Sequence, residues 1–261
     1  MKETNTINGM PYLRIGNGEP LVLIHGLGGA KENWYKQFEL SDQFQLIIPD
    51  LRGHGKNLSL EGISIINFAN DIISLLEELK IEKAHFCGIS MGGTVVQEIY
   101  RQAPDKCHSL LLVSSFHNAP KQLGKIFLKY RKVRSCLLSP SQQKLLTSRT
   151  CLYSWNKQNL NEFYTNFNPN KKGHEKSLKA LSLVDFRSLL PIIKIPTLVI
   201  GGQYDAVLPV YIQIQMHKQI PNSQIVIYRK CGHIAKIEVA DQFNRTVRSF
   251  LMKNMMIKNA V

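Results

Sequence analysis

Nothing in this 261-residue sequence approaches the ~18 consecutive apolar residues that a membrane-spanning helix needs. The nearest run, 188–202, is broken by Lys194 and two prolines. The first ten residues are polar and lack the apolar core of a secretory leader, so none is expected there. Cysteine is sparse: Cys87, Cys107, Cys136, Cys151 and Cys231 are scattered and form no CxxC pair. That argues against a disulfide framework and against a structural zinc site, and a reduced, cytoplasmic chain is the expectation. Neither GxGxxG nor GxxxxGK[ST] occurs, which leaves a nucleotide-binding reading weak. Acidic residues are also few, 19 against 33 Lys and Arg, for a net charge of +14.

A uniformly basic chain would point to nucleic acid. Here the charge is localised: residues 1–115 carry −3, residues 116–194 carry +12 and residues 195–261 carry +5. With 44% hydrophobic residues the chain has enough apolar material for a substantial core.

Short apolar runs predict strands at 4–7, 10–15, 21–24, 44–48, 84–87, 110–113, 197–200 and 224–227. Apolar residues at helical spacing predict helices over 64–80, 91–103, 210–219 and 239–253. Pro104 stops the second of these. Residues 117–181 contain no buried-strand run but many helix formers. The expected organisation is therefore one α/β core, 1–116 and 182–261, interrupted by a helical cap at 117–181.

The sharpest motif is Gly88-Ile89-Ser90-Met91-Gly92-Gly93, between a strand and a helix. A G-x-S-x-G turn of this kind sets its serine on a strained backbone, with glycines at 88 and 92 relieving collisions across the turn. Ser90 is thus the candidate nucleophile. A serine hydroxyl needs a base, and His233 follows the last strand on a loop at the same sheet edge. The base needs an orienting carboxylate, and Asp205 follows the strand at 197–200. Asp205 is also placed to cap the next helix, and Asp185 is the rival acid. Backbone N–H groups of Leu27, in His25-Gly26-Leu27-Gly28-Gly29, and of Met91 are candidate donors to an oxyanion. His25 opens that loop and is a candidate for holding it or for meeting substrate.

These residues, with Asp50-Leu51-Arg52-Gly53-His54-Gly55, resemble the α/β-hydrolase superfamily over nearly the whole chain. The resemblance implies a mostly parallel eight-stranded sheet flanked by helices, and hydrolysis of an ester through an acyl-enzyme on Ser90. No cofactor or metal is implied. Serine at 90 separates the chain from relatives with a nucleophilic aspartate. Residues 85–93 are similar to the elbow of 3-oxoadipate enol-lactonases, whose oxyanion loop usually lacks the His25-Gly26 pair. Carbon–carbon bond hydrolases share the triad. Pimeloyl-carrier-protein methyl ester esterases share the architecture and use a basic helical cap to receive an acidic acyl carrier protein.

The cap sequence bears on that last reading. Lys121, Lys125, Lys129 and Lys132 recur at roughly helical spacing, with Arg131 and Arg134 beside them and apolar residues such as Phe127 interleaved. A basic outer face would steer an anionic partner toward the site. It is equally what a solvated lysine-rich helix looks like, and anionic lipid is a third, weaker reading. A ligand receptor on the same fold is the non-enzyme alternative; its mark would be a missing triad residue, and none is missing. Substrate identity and oligomeric state are left open by the sequence.

Overall fold

A computed structural model describes residues 2–6, 8–119, 129, 133 and 137–259. Eight strands form one sheet: β1 (Lys2–Asn5), β2 (Pro11–Ile15), β3 (Glu19–Ile24), β4 (Phe44–Pro49), β5 (Ala84–Ile89), β6 (Cys107–Val113), β7 (Thr197–Gly202) and β8 (Ser223–Tyr228). Their spatial order is β1-β2-β4-β3-β5-β6-β7-β8. β1 and β2 pair antiparallel, as do β2 and β4, and every other pair is parallel. The expected mostly parallel eight-stranded sheet is therefore present. β1 begins two residues before the expected strand, in register with Pro11–Arg14 of β2.

Leu21, Val22, Leu23 and Ile24 are almost wholly buried, as a continuous apolar run covered on both faces must be. One face packs against α1 (Ile65–Glu78) and α2 (Met91–Gln102), through Phe68, Ile72, Leu76, Val95 and Ile99. The opposite face packs through Leu23, Ile48, Cys87 and Leu111 against Trp34 and the C-terminal helix. Ser64 caps α1 by accepting from Asn67 N–H at 3.1 Å, which starts the helix one residue later than its apolar spacing implied.

Between β6 and β7 the described residues form α3 (Pro140–Cys151), α4 (Lys157–Asn166) and α5 (Lys171–Leu181). Each begins at a side-chain cap: Ser139, Asn156 and Asn170 accept from backbone N–H three residues on. α6 (Val210–Gln219) follows β7. A short α7 (Ala235–Glu238), which was not expected, precedes α8 (Ala240–Asn259), the helix expected at 239–253. Val239, with φ −133° and ψ 45°, breaks them apart. No helix among the described residues is long and apolar enough to cross a membrane.

Candidate active site

The turn at Ser90 is tighter than its sequence implied. β5 continues through Gly88 and Ile89, and α2 begins at Met91, so Ser90 alone makes the reversal. Its backbone sits at φ 55° and ψ −116°, a region that L-residues rarely occupy and that needs surrounding structure to hold it. That structure is visible: Ser90 N–H donates to Val113 O at 2.9 Å, and Gly93 N–H and Ser115 Oγ–H both donate to Ser90 O. A Cβ on Gly88 would lie 2.2 Å from Gly92 O, so this glycine does relieve a collision across the turn. Gly92 has a different reason. A Cβ there would strike the end of β3, 2.3 Å from Ile24 O.

Asp205 and His233 meet. Asp205 Oδ2 lies 2.7 Å from His233 Nδ1, with both side chains nearly excluded from solvent. The other Asp205 oxygen accepts from Val207 and Leu208 N–H at 2.9 and 2.8 Å. Asp205 does not take its alternative role of capping the next helix: α6 starts after Pro209 with no side-chain cap, and this oxygen organises the loop before it while the other meets His233. Asp185 is elsewhere: half exposed, it pairs with Arg187 at 2.7 Å, and those hydrogen bonds pull its pKa down to about 2. β5, β7 and β8 are parallel, so Ser90, Asp205 and His233 all follow the carboxyl ends of strands at one sheet edge.

The loop after β3 lies against Ser90. A Cβ on Gly26 would be 3.4 Å from Ser90 Cβ. Gly29 N–H to Gly26 O, 3.0 Å, closes a turn with Gly28 at φ +74°, and Leu27 N–H takes no part in that closing bond. Met91 N–H is the first of α2 and belongs to the group that a helix leaves without an intrahelical acceptor. Both candidate oxyanion donors are therefore backbone groups beside Ser90.

His25 is fully committed. Leu51 N–H donates to its Nε2 at 3.1 Å, which places the proton on Nδ1, where Gly26 O lies at 2.8 Å. Burial pushes this ring down to about 4, so it is neutral at pH 7 and ties the loop to the segment after β4. In that segment Asp50 and Lys31, both fully buried, pair at 2.7 Å, and Asp50 also accepts from Lys31 and Lys56 N–H. Cys87 and Cys231 are buried and their thiols raised by that burial, Cys87 to about 12. Neither is a reactive thiolate.

Phe167 and His174, from the β6–β7 segment, lie against Gly28 in the loop after β3, and Phe163 stacks on Phe167. The two phenyl rings stack at 5.0 Å, and a Cβ on Gly28 would lie 2.9 Å from the Phe167 ring. Lys129 is described and exposed. Lys121, Lys125, Phe127 and Arg131 lie outside the described residues.

Three residues near the site carried no signal in the sequence. Asn33, in the 3-10 helix Lys31–Asp42, accepts from Ala30 N–H at 2.7 Å and donates to Asn166 O at 2.8 Å. Lys236, buried in α7, donates to Asn33 O and sits 4.7 Å from the Trp34 ring centre; burial lowers its pKa to about 7. Glu238 joins the His233 loop to the segment between α3 and α4. A histidine five residues before a glutamate is too common a pattern to have marked it.

The chain belongs to the α/β-hydrolase family: the model of that fold matches residues 19–240. It is 27% identical over 249 residues to the dihydrolipoyllysine-residue acetyltransferase component of an acetoin cleaving system from Pseudomonas putida, covering 91% of this chain. The chain spans 64% of that relative's length. It is 25% identical over 241 residues to a 3-oxoadipate enol-lactonase of Acinetobacter baylyi, covering 90% of this chain and 89% of the relative. A thermophilic esterase from Thermogutta terrifontis superposes with a TM-score of 0.86 at 25% identity, over 97% of each chain. The chain thus has a hydrolase fold, and its relatives differ in what they act on.

Proposed function

We propose that the chain hydrolyses a carboxylic ester through a Ser90–His233–Asp205 triad. The observation that carries this reading is the 2.7 Å Asp205–His233 pair at the same sheet edge as a strained Ser90. In this mechanism Asp205 holds the Nδ1 proton, which leaves Nε2 of His233 to accept the Ser90 hydroxyl proton. Ser90 Oγ attacks the acyl carbon, and the oxyanion that forms is met by the N–H groups of Leu27 and Met91. The imidazolium then gives its proton to the departing alcohol. Water, deprotonated by the same ring, attacks the acyl-enzyme and releases the acid and Ser90. Labelling by a fluorophosphonate tests the proposal: wild type is expected to label and Ser90→Ala is not. A folded wild type that stays unlabelled would sink it. A ligand-binding receptor on this fold would give that second result.

Residues 117–181 are, in this reading, a cap that selects the substrate. The contact of Phe167 with Gly28 in the candidate oxyanion loop, with Phe163 stacked on Phe167, supports that role. A second reading concerns an acidic carrier. α5 buries Gly173, His174, Ser177 and Leu178 while Lys171, Lys172, Lys176 and Lys179 are exposed, which is a basic outer face on a packed helix. Such a face favours an anionic acyl carrier protein as the substrate's bearer. Reversal of Lys171, Lys172 and Lys179 to Glu is expected to cut turnover of an acyl-carrier-protein ester tenfold or more and to spare a p-nitrophenyl ester. Equal effects on the two substrates would defeat the carrier reading. Enol-lactones and carbon–carbon substrates use the same machinery, and a substrate panel separates them.

A further inference from the structure

Glu238 stands where the β6–β7 segment meets the loop that carries His233. One carboxylate oxygen accepts from the backbone N–H of Tyr153 at 2.8 Å and of Ser154 at 3.0 Å, between α3 and α4. The other accepts from Gly232 N–H at 2.8 Å, one residue before His233. His233 N–H donates in turn to Cys151 O at 2.8 Å. The backbones approach so closely that a Cβ on Gly232 would lie 2.7 Å from both Cys151 O and Tyr153 N. The same segment also reaches the acid: the Tyr153 ring stacks on Tyr204, the neighbour of Asp205, with centres 4.8 Å apart.

We propose that Glu238 is a positioning residue, whose carboxylate latches the 151–154 segment to the histidine loop and so sets the orientation of His233. The proposal rests on the reading of His233 as the general base. Its chemistry is specific to a carboxylate. Three N–H donors arrive from two directions, and only a group with an acceptor oxygen on each side satisfies both. Burial raises the pKa of Glu238, while the bonds from Ser154, Gly232 and Tyr153 favour its charged form. A glutamine keeps the shape but turns an NH2 group toward one of the two sets of N–H donors. An aspartate keeps the charge but is one methylene too short to reach both.

The test compares wild type, Glu238→Gln and Glu238→Asp on p-nitrophenyl acetate, a substrate small enough to need little from the cap. In Glu238→Gln the expected result is a kcat lowered tenfold or more with KM within twofold. The low-field proton resonance of the Asp205–His233 hydrogen bond is expected to shift or disappear. Glu238→Asp should recover part of both. A merely structural role would lower the melting temperature and leave kcat and that resonance at wild-type values, which overturns the proposal. Should Glu238→Gln not fold, Glu238→Asp decides: wild-type kcat overturns the latch, and a reduced kcat with unchanged KM supports it. If wild type itself neither hydrolyses the ester nor labels at Ser90, the triad reading fails. The resonance, which needs no turnover, then still reports whether Glu238 holds the Asp205–His233 pair.

Discussion

Asp205 and Asp185 show how far residue identity and order carry a site. Both are aspartates ahead of His233 in the chain, and only position favours Asp205: it follows a strand, whereas Asp185 lies where the inserted helices return to the core. The structure separates them physically. One is buried against the imidazole, and the other is half exposed and spent on Arg187. Asp205→Asn is expected to lower kcat on a p-nitrophenyl ester by about 10³–10⁴-fold while the protein stays folded, because the histidine loses the partner that fixes its tautomer. Asp185→Asn should leave kcat unchanged. His25 was legible as a loop residue, but its tautomer was not, since that depends on Leu51 N–H reaching across from the end of β4. Its depressed pKa has a consequence for stability. The unfolded ring takes up a proton near pH 6.5 and the folded ring only near pH 4. The stability due to neutral His25 is therefore complete above pH 6.5 and is lost as the pH falls through 4. Urea midpoints measured from pH 7 to 4 should fall, and His25→Asn should make that fall shallower.

At the scale of elements, buried strands and amphipathic helices were the easiest to read, because their apolar spacing records which faces are covered. α1 and β3 are examples. The 3-10 helix at Lys31–Asp42 has no such record: Lys31, Trp34, Gln37 and Leu40 face inward, and two of these four are polar. Its inward Lys31 makes sense beside Asp50, a residue 19 positions away, and beside Glu32 and Glu3, which also pair with its ammonium. The short α7 left no record either, because four residues are too few for apolar spacing to show. The elbow between β5 and α2 was legible as a motif, yet the cause of its second glycine was not, because Ile24 comes from another strand. Gly88→Ala places a methyl group 2.2 Å from a backbone oxygen that cannot move without unwinding α2. A destabilisation of ~3 kcal/mol or more is expected, read as a lowered urea midpoint.

For the whole molecule, the charge has to be read by region. The surplus of basic residues is concentrated in 116–194, the stretch that contributes the helices between β6 and β7 and the Phe167 ring beside Gly28. The order of the sheet and the family of the fold were visible from alternating strands, helices and four short motifs. The joints were not visible: Glu238 to Tyr153, Asn33 to Asn166 and Lys236 to Asn33 each link residues at least 80 positions apart. Such contacts leave no local pattern, and two of the three join the segment between β6 and β7 to the rest of the chain. The triad reading stands or falls on whether Ser90 becomes acylated. Wild-type protein mixed with p-nitrophenyl acetate, quenched in acid and mapped by peptide mass should carry one acetyl group, on Ser90, after a burst of one p-nitrophenolate per chain. An acetyl group on any other residue, or turnover retained in Ser90→Ala, would contradict it.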